Sequence, residues 1–110
     1  MKTFWAIVKF QFEGIHHYKD AVGKEEYLKH DHRHIFHCDV WVEQHHNDRD
    51  VEYIKLKRKL QETFYGGGLD NMSCEMIAES ILLWLKTNYI NRQYKVSVKE
   101  DNENGCLIED

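Results

Sequence analysis

Two stretches of strict alternation, residues 3–14 and 32–45, constrain this chain more than anything else in it. In the first, Phe4, Ala6, Val8, Phe10 and Phe12 share one face, while Trp5, Ile7, Lys9 and Gln11 share the other. A period of two over that length is the mark of a strand with one dry face and one mixed face. In the second, His32, His34, Phe36, Cys38, Val40 and Val42 fall on one side, and Ile35, His37, Asp39, Trp41 and Glu43 on the opposite side. His32 and His34 are two apart, so both imidazoles leave the same face of an extended chain, close enough to share one metal ion. A catalytic zinc usually takes three protein ligands and keeps one position open, so the pair asks for a third.

Between the strands, residues 19–31 read as a charged loop with Gly23 as its turn signal. The polar turn 45–50 closes the second strand, and Asp48 or Asp50 is placed to cap the helix that follows, because a short carboxylate accepts from the free amides of a first turn. Val51, Ile54, Leu56, Leu60 and Phe64 lie roughly on one side of a helix over 51–65, with Lys55, Lys57, Arg58 and Lys59 on its wet side. Gly66, Gly67 and Gly68 break the chain between two helices. They lack the GxxxxGK[ST] pattern and a preceding strand, so they form no phosphate cradle.

Ser73 caps a second helix whose apolar side is Ile77, Ala78, Ile81, Leu82, Trp84 and Leu85, and Asn88 stops it. Residues 92–101 alternate as a third strand, residues 102–105 turn, and 106–109 add a short fourth strand. The order ββααββ predicts one α+β domain over residues 1–110, with a four-stranded antiparallel sheet and two helices on one face.

Eight histidines among 110 residues are the compositional outlier. Cys38, Cys74 and Cys106 are odd in number and show no CxxC spacing, which argues for reduced thiols rather than a disulfide framework or a cysteine-rich zinc module. A net charge of −4 offers no electrostatic footprint for nucleic acid or anionic lipid. There is no apolar run long enough to span a bilayer, and the opening residues lead into a strand rather than a signal peptide. The expectation is a soluble, cytoplasmic protein with no nucleic-acid or membrane partner. Proline is absent, so the turns rely on Gly, Asn and Asp.

Five short pieces stand in a telling order. They are Phe12-Glu13-Gly14-Ile15-His16, His32-Arg33-His34, Glu52-Tyr53-Ile54-Lys55-Leu56-Lys57, Ser73-Cys74-Glu75-Met76-Ile77-Ala78 and Glu100-Asp101. On their respective strands and helices they resemble motifs of the 6-pyruvoyl-tetrahydropterin synthase and 6-carboxy-tetrahydropterin synthase family, zinc proteins of the tunnelling (T-) fold. The family's versions read Phe-x-x-x-His, His-Gly-His, Asp-Phe-x-x-Leu-Lys, Thr-x-Glu-Asn-Leu-Ala and Glu-Thr.

The resemblance implies zinc held by His16, His32 and His34 with a fourth position open, and His17 is the neighbouring alternative to His16. It implies that Glu100 and Glu75 bind the ring of a pterin-like or purine-like substrate, since a carboxylate accepts two parallel bonds from the N–H groups of a 2-amino-4-oxo heterocycle. It further implies a zinc-dependent carbon–oxygen lyase acting on a dihydroneopterin-triphosphate-like substrate, in pterin or 7-deazaguanine (queuosine) precursor metabolism. Family members close their sheets into an oligomeric barrel of trimers or hexamers. The two open edges of a four-stranded sheet also favour a homo-oligomer here, with the pocket between subunits. His30, His37, His45 and His46 have no matching role.

The chain also departs from that pattern. The family's cysteine base is missing between His17 and His32, where Glu26 stands at one of the family's spacings and Glu25 is as available. Leu69-Asp70-Asn71 stands where the family has Leu-Asp-His, and asparagine shuttles no proton. Cys38 shares a face with His32 and His34, but its distance from His32 is about 20 Å of extended chain, too far to serve. Three functions compete: an enzyme with Glu26 or a histidine such as His37 as base, a zinc protein of the same fold that binds the ring without turnover, and a structural zinc domain.

Overall fold

The computed structural model describes residues 1–110. Strand β1 (Phe4–His16) pairs antiparallel with β2 (His32–Gln44) along their whole length, in a register that sets Val8 opposite Val40, Phe10 opposite Cys38 and His16 opposite His32. A one-residue slip would turn every apolar side chain of a strand to the wrong face, so the two alternations lock each other. Helix α1 (Tyr53–Thr63) follows, then β3 (Gly67–Asp70), α2 (Cys74–Asn88), β4 (Tyr94–Glu100) and β5 (Asn104–Glu109). A short 3₁₀ helix over Gly23–Lys29 occupies the segment expected to be loop.

The α+β class is as expected, but the sheet is not the four-stranded antiparallel one. It has five strands in the order β3-β1-β2-β4-β5 and is mixed, because β3 runs parallel to the end of β1, with Gly14 opposite Gly67 and Ile15 opposite Gly68. Glycine is depleted in strands, so the triglycine carries no strand signal. What recruits it is the open edge of β1, whose backbone groups need partners. Gly14 permits the approach: a Cβ there would stand 2.5 Å from Leu69 Cδ1. With β3 and β5 at its edges the sheet is open, so no barrel closes within the chain.

Nineteen buried residues form a single core under one face of the sheet. The strands contribute Ala6, Val8, Phe10, Phe36, Val40 and Val96 among others, α1 contributes Leu56 and Leu60, and α2 contributes Ile77, Ala78, Ile81 and Leu85. Complete burial of a leucine or isoleucine is worth about 1.5–3 kcal/mol, so Leu56, Leu60, Ile81 and Leu85, which are fully buried, are the main anchors of the helix layer. The opposite sheet face carries Ile7 and Leu107, both more than half exposed, and no element covers it.

Ser73 caps α2 as expected, its Oγ accepting from Met76 N at 3.1 Å. Helix α1 is capped by Glu52, whose carboxylate accepts from Ile54 N and Lys55 N, and not by Asp48 or Asp50. Asp50 is drawn instead to Arg92 at 2.7 Å. No helix is long and apolar enough to cross a membrane.

Candidate metal centre and adjoining cavity

The alternation that buries Phe10 and Phe12 continues through Gly14 to His16, so the strand delivers His16 to the helix-covered face. Its antiparallel partner is His32, and directly opposed residues carry their side chains on one face with Cβ atoms about 4.5–5.5 Å apart. His34 lies two further along β2 on that face. Glu100, the last residue of β4, is paired with Phe36 and therefore sits diagonally from His34. Four residues from three strands thus converge through register alone. Their ligand atoms all lie within 4.8 Å of one another.

The three rings are held from behind. His16 Nδ1 donates to Met72 O at 2.8 Å, His32 Nδ1 to His30 O at 2.9 Å, and His34 Nδ1 to Asp101 Oδ2 at 2.7 Å. Carbonyls and carboxylates only accept, so each Nδ1 carries a hydrogen, and in the neutral ring each Nε2 presents a lone pair. Metal-binding histidines characteristically have their other nitrogen committed in this way.

The acceptor on the far side makes the case sharper. Glu100 Oε2 lies 2.9 Å from His16 Nε2 and 3.2 Å from His34 Nε2. His16 Nε2 is buried and makes no hydrogen bond, the carboxylate being near it but not aligned as a partner. Electron-rich atoms this close repel unless a positive charge lies among them. A single cation would satisfy all of them at once, so the donor set fits a metal ion that prefers nitrogen and oxygen ligands.

Asp101 is the supporting residue the sequence did not reveal. Its backbone is left-handed (φ 52°), its N donates to Ile35 O, and its carboxylate accepts from Ile35 N at 2.9 Å as well as from His34. The Ile35 amide first, and His34 second, hold the Asp101 carboxyl below its ordinary range. No local signal marks a partnership across 67 residues of chain. Met72 O is equally invisible in the sequence, because it depends on β3 docking beside β1.

A cavity of about 580 Å³ adjoins the cluster, with His16, His32 and Glu100 in its wall, and Glu75 joins them from the first turn of α2. Neither lysine nor arginine lines it. Cys74, also in the wall, is a poor nucleophile: burial, with Glu100 adding to it, pushes its thiol up to about 12. His17 lines the cavity but lies outside the ligand cluster.

Glu26 is placed elsewhere. It is exposed on the 3₁₀ helix, pairs with Lys29 at 3.4 Å and takes no part in the cavity wall. Asn71 is committed to structure, accepting from Lys19 N at 3.0 Å. His37 and Cys38 are also absent from the wall, and Cys38 is fully buried in the core. Comparison of the chain with protein-family models finds no match, and comparison with curated proteins finds none either.

Proposed function

We propose that this protein is a zinc-dependent enzyme of the tetrahydropterin synthase type, acting on a dihydroneopterin-triphosphate-like substrate in pterin or 7-deazaguanine precursor metabolism. The observation that carries the reading is the convergence of three Nε2 lone pairs at the edge of a cavity whose charged wall residues are carboxylates. His16, His32 and His34 would hold the zinc, which as a Lewis acid would polarise oxygens of the substrate side chain. Glu75, in the same wall, would accept N–H bonds from an amino-heterocycle, and a wall without lysine or arginine suits such a donor-rich ring. The phosphates would lie outside the cavity, where they meet no buried carboxylate.

The five-strand sheet keeps the ββααββ order with β3 inserted, so a T-fold assembly is the quaternary form proposed here. The uncovered sheet face bearing Ile7 and Leu107 supports a homo-oligomer.

One observation favours a second reading. The 2.9 Å approach of Glu100 to His16 would make Glu100 the fourth ligand of a closed centre, the kind that structural zinc sites use. Glu100→Gln separates the two. The enzyme reading expects zinc stoichiometry to persist while pterin binding weakens, and the closed centre expects zinc affinity itself to fall. The primary test is incubation of the zinc-loaded protein with dihydroneopterin triphosphate, followed by mass spectrometry for loss of triphosphate. Tight pterin binding with no turnover would replace the enzyme by a binding protein.

A further inference from the structure

We propose that Glu100 is a gate on the metal centre: it ligates the ion while the cavity is empty and leaves the ion to bind the ring, so that filling the cavity opens the fourth position. The gate rests on the ring recognition proposed above, and it makes the closed and the open centre two states of one residue.

The carboxylate stands within reach of both partners. Its Oε2 is 2.9 Å from His16 Nε2 and 3.2 Å from His34 Nε2. Ligand atoms at the corners of a tetrahedron around zinc, with bonds of about 2.0–2.1 Å, are about 3.3 Å apart, so Oε2 already stands at a ligand's spacing. The same residue lines the cavity together with Glu75. Little else in the wall competes for it: lysine and arginine are absent, and His17 turns its Nδ1 to Asp31 Oδ1 at 2.9 Å. The carboxylate is left with two kinds of partner, a cation among the histidines or the N–H groups of a ligand. Two parallel N–H bonds require both oxygens to face the ring edge, which draws Oε2 out of the cluster.

The exchange needs only side-chain torsions. The Glu100 backbone is fixed by pairing with Phe36 on one side and Asn104 on the other, and its carbonyl accepts from Glu103 N at 2.9 Å. Each histidine of the cluster is held at Nδ1 by Met72, His30 or Asp101, whereas the Glu100 side chain is 31% exposed and meets only the cluster. Of the four ligating groups, Glu100 is therefore the one free to leave. Ring and ion then compete for a single carboxylate, and by linkage each weakens the binding of the other by the same factor. A Glu100 committed to either partner alone gives no such coupling.

The test uses the full chain and 7-deazaguanine, which carries the 2-amino-4-oxo edge and lacks the ring nitrogen beside the oxo group that would chelate a metal. Calorimetry on the zinc-loaded protein establishes binding of the probe. Saturating probe is expected to weaken zinc binding about 5–150-fold, read by competition with a chromophoric chelator. In the cobalt-loaded protein the probe is expected to shift the visible absorption to the spectrum that Glu100→Gln shows without it. In Glu100→Gln, zinc affinity is expected to fall at once and to respond no further to the probe. A probe that binds the wild type while zinc affinity and the cobalt spectrum stay unchanged overturns the gate and leaves ring recognition standing. A Glu100→Gln variant with wild-type zinc affinity and cobalt spectrum does the same. Failure of the wild type to bind the probe overturns ring recognition and the gate together.

Discussion

Asp50→Asn tests the electrostatic account of how the far end of β2 is held. Asp50 and Arg92 are each 13% exposed, with Arg92 Nη1 2.7 Å from Asp50 Oδ2. The same guanidinium donates to Glu43 O at 2.9 Å, and His45 N donates to Asp50 at 2.6 Å. The Arg92 hydrogen bond first, and the His45 amide second, hold the Asp50 carboxyl at about 2, down from its ordinary 3.8. At about 1.4 kcal/mol per pH unit this amounts to about 2 kcal/mol, and water at the rim of the pair trims it to about 1–2 kcal/mol.

The folded carboxyl is the stronger acid, so this stability is fully present above pH 4 and is lost as the pH falls toward 2. At pH 7 the asparagine variant also leaves Arg92 without its counter-charge, for a total loss of about 2–4 kcal/mol. Urea unfolding followed by tryptophan fluorescence, with a chelator present, measures both proteins from pH 7 to pH 2.5. The gap between them is expected to narrow as the pH falls through 4. A constant gap would refute the reasoning. Zinc stoichiometry at pH 7 is expected to be the same for both, because the pair lies at the opposite end of β2 from His32 and His34.

Gly66→Ala is expected to cost about 1–3 kcal/mol or more, since φ is +81° and the new Cβ would stand 2.0 Å from Glu13 O; urea midpoints within about 0.5 kcal/mol of wild type would contradict this. Asp101→Asn can keep the Ile35 bond through its amide oxygen but offers an N–H to His34 Nδ1, which favours the wrong tautomer for metal binding. Its zinc affinity, measured by competition with a chromophoric chelator, is expected to fall about 10–100-fold, and an unchanged affinity would remove Asp101 from the centre. Leu60→Ala, at a fully buried position, is expected to cost about 2–5 kcal/mol in urea unfolding. A loss below about 1 kcal/mol would mean that α1 is not anchored as described.

Much of the site was legible because strands have a period of two. The alternation around Phe36 puts His32 and His34 on the dry face, whereas His16 was indicated by the resemblance of Phe12-Glu13-Gly14-Ile15-His16 to a family motif, and the pairing of β1 with β2 brings the three rings together. Glu75 was indicated by the resemblance of Ser73-Cys74-Glu75-Met76-Ile77-Ala78 to a family motif, and the helix begun by Ser73 carries it to the cavity wall. Glu26 was read from spacing within a loop, and spacing carries little geometric information where the chain is not regular. The 3₁₀ helix over Gly23–Lys29 leaves it in solvent beside Lys29.

The sequence by itself determined the α+β class, the alternating strands, the second helix from its Ser73 cap to Asn88, and the placing of His32 and His34 on one strand face. Each of these is set by local periodicity or capping, which a chain carries wherever it goes. Only the tertiary structure decided that the triglycine segment would become a fifth strand, that Glu100 would stand against His16, and that Met72, Asp101 and Asp31 would orient His16, His34 and His17. Those outcomes depend on contacts between residues 14 to 84 positions apart, formed where an open edge or a ring nitrogen lacked a partner, and no local pattern encodes which distant group supplies it.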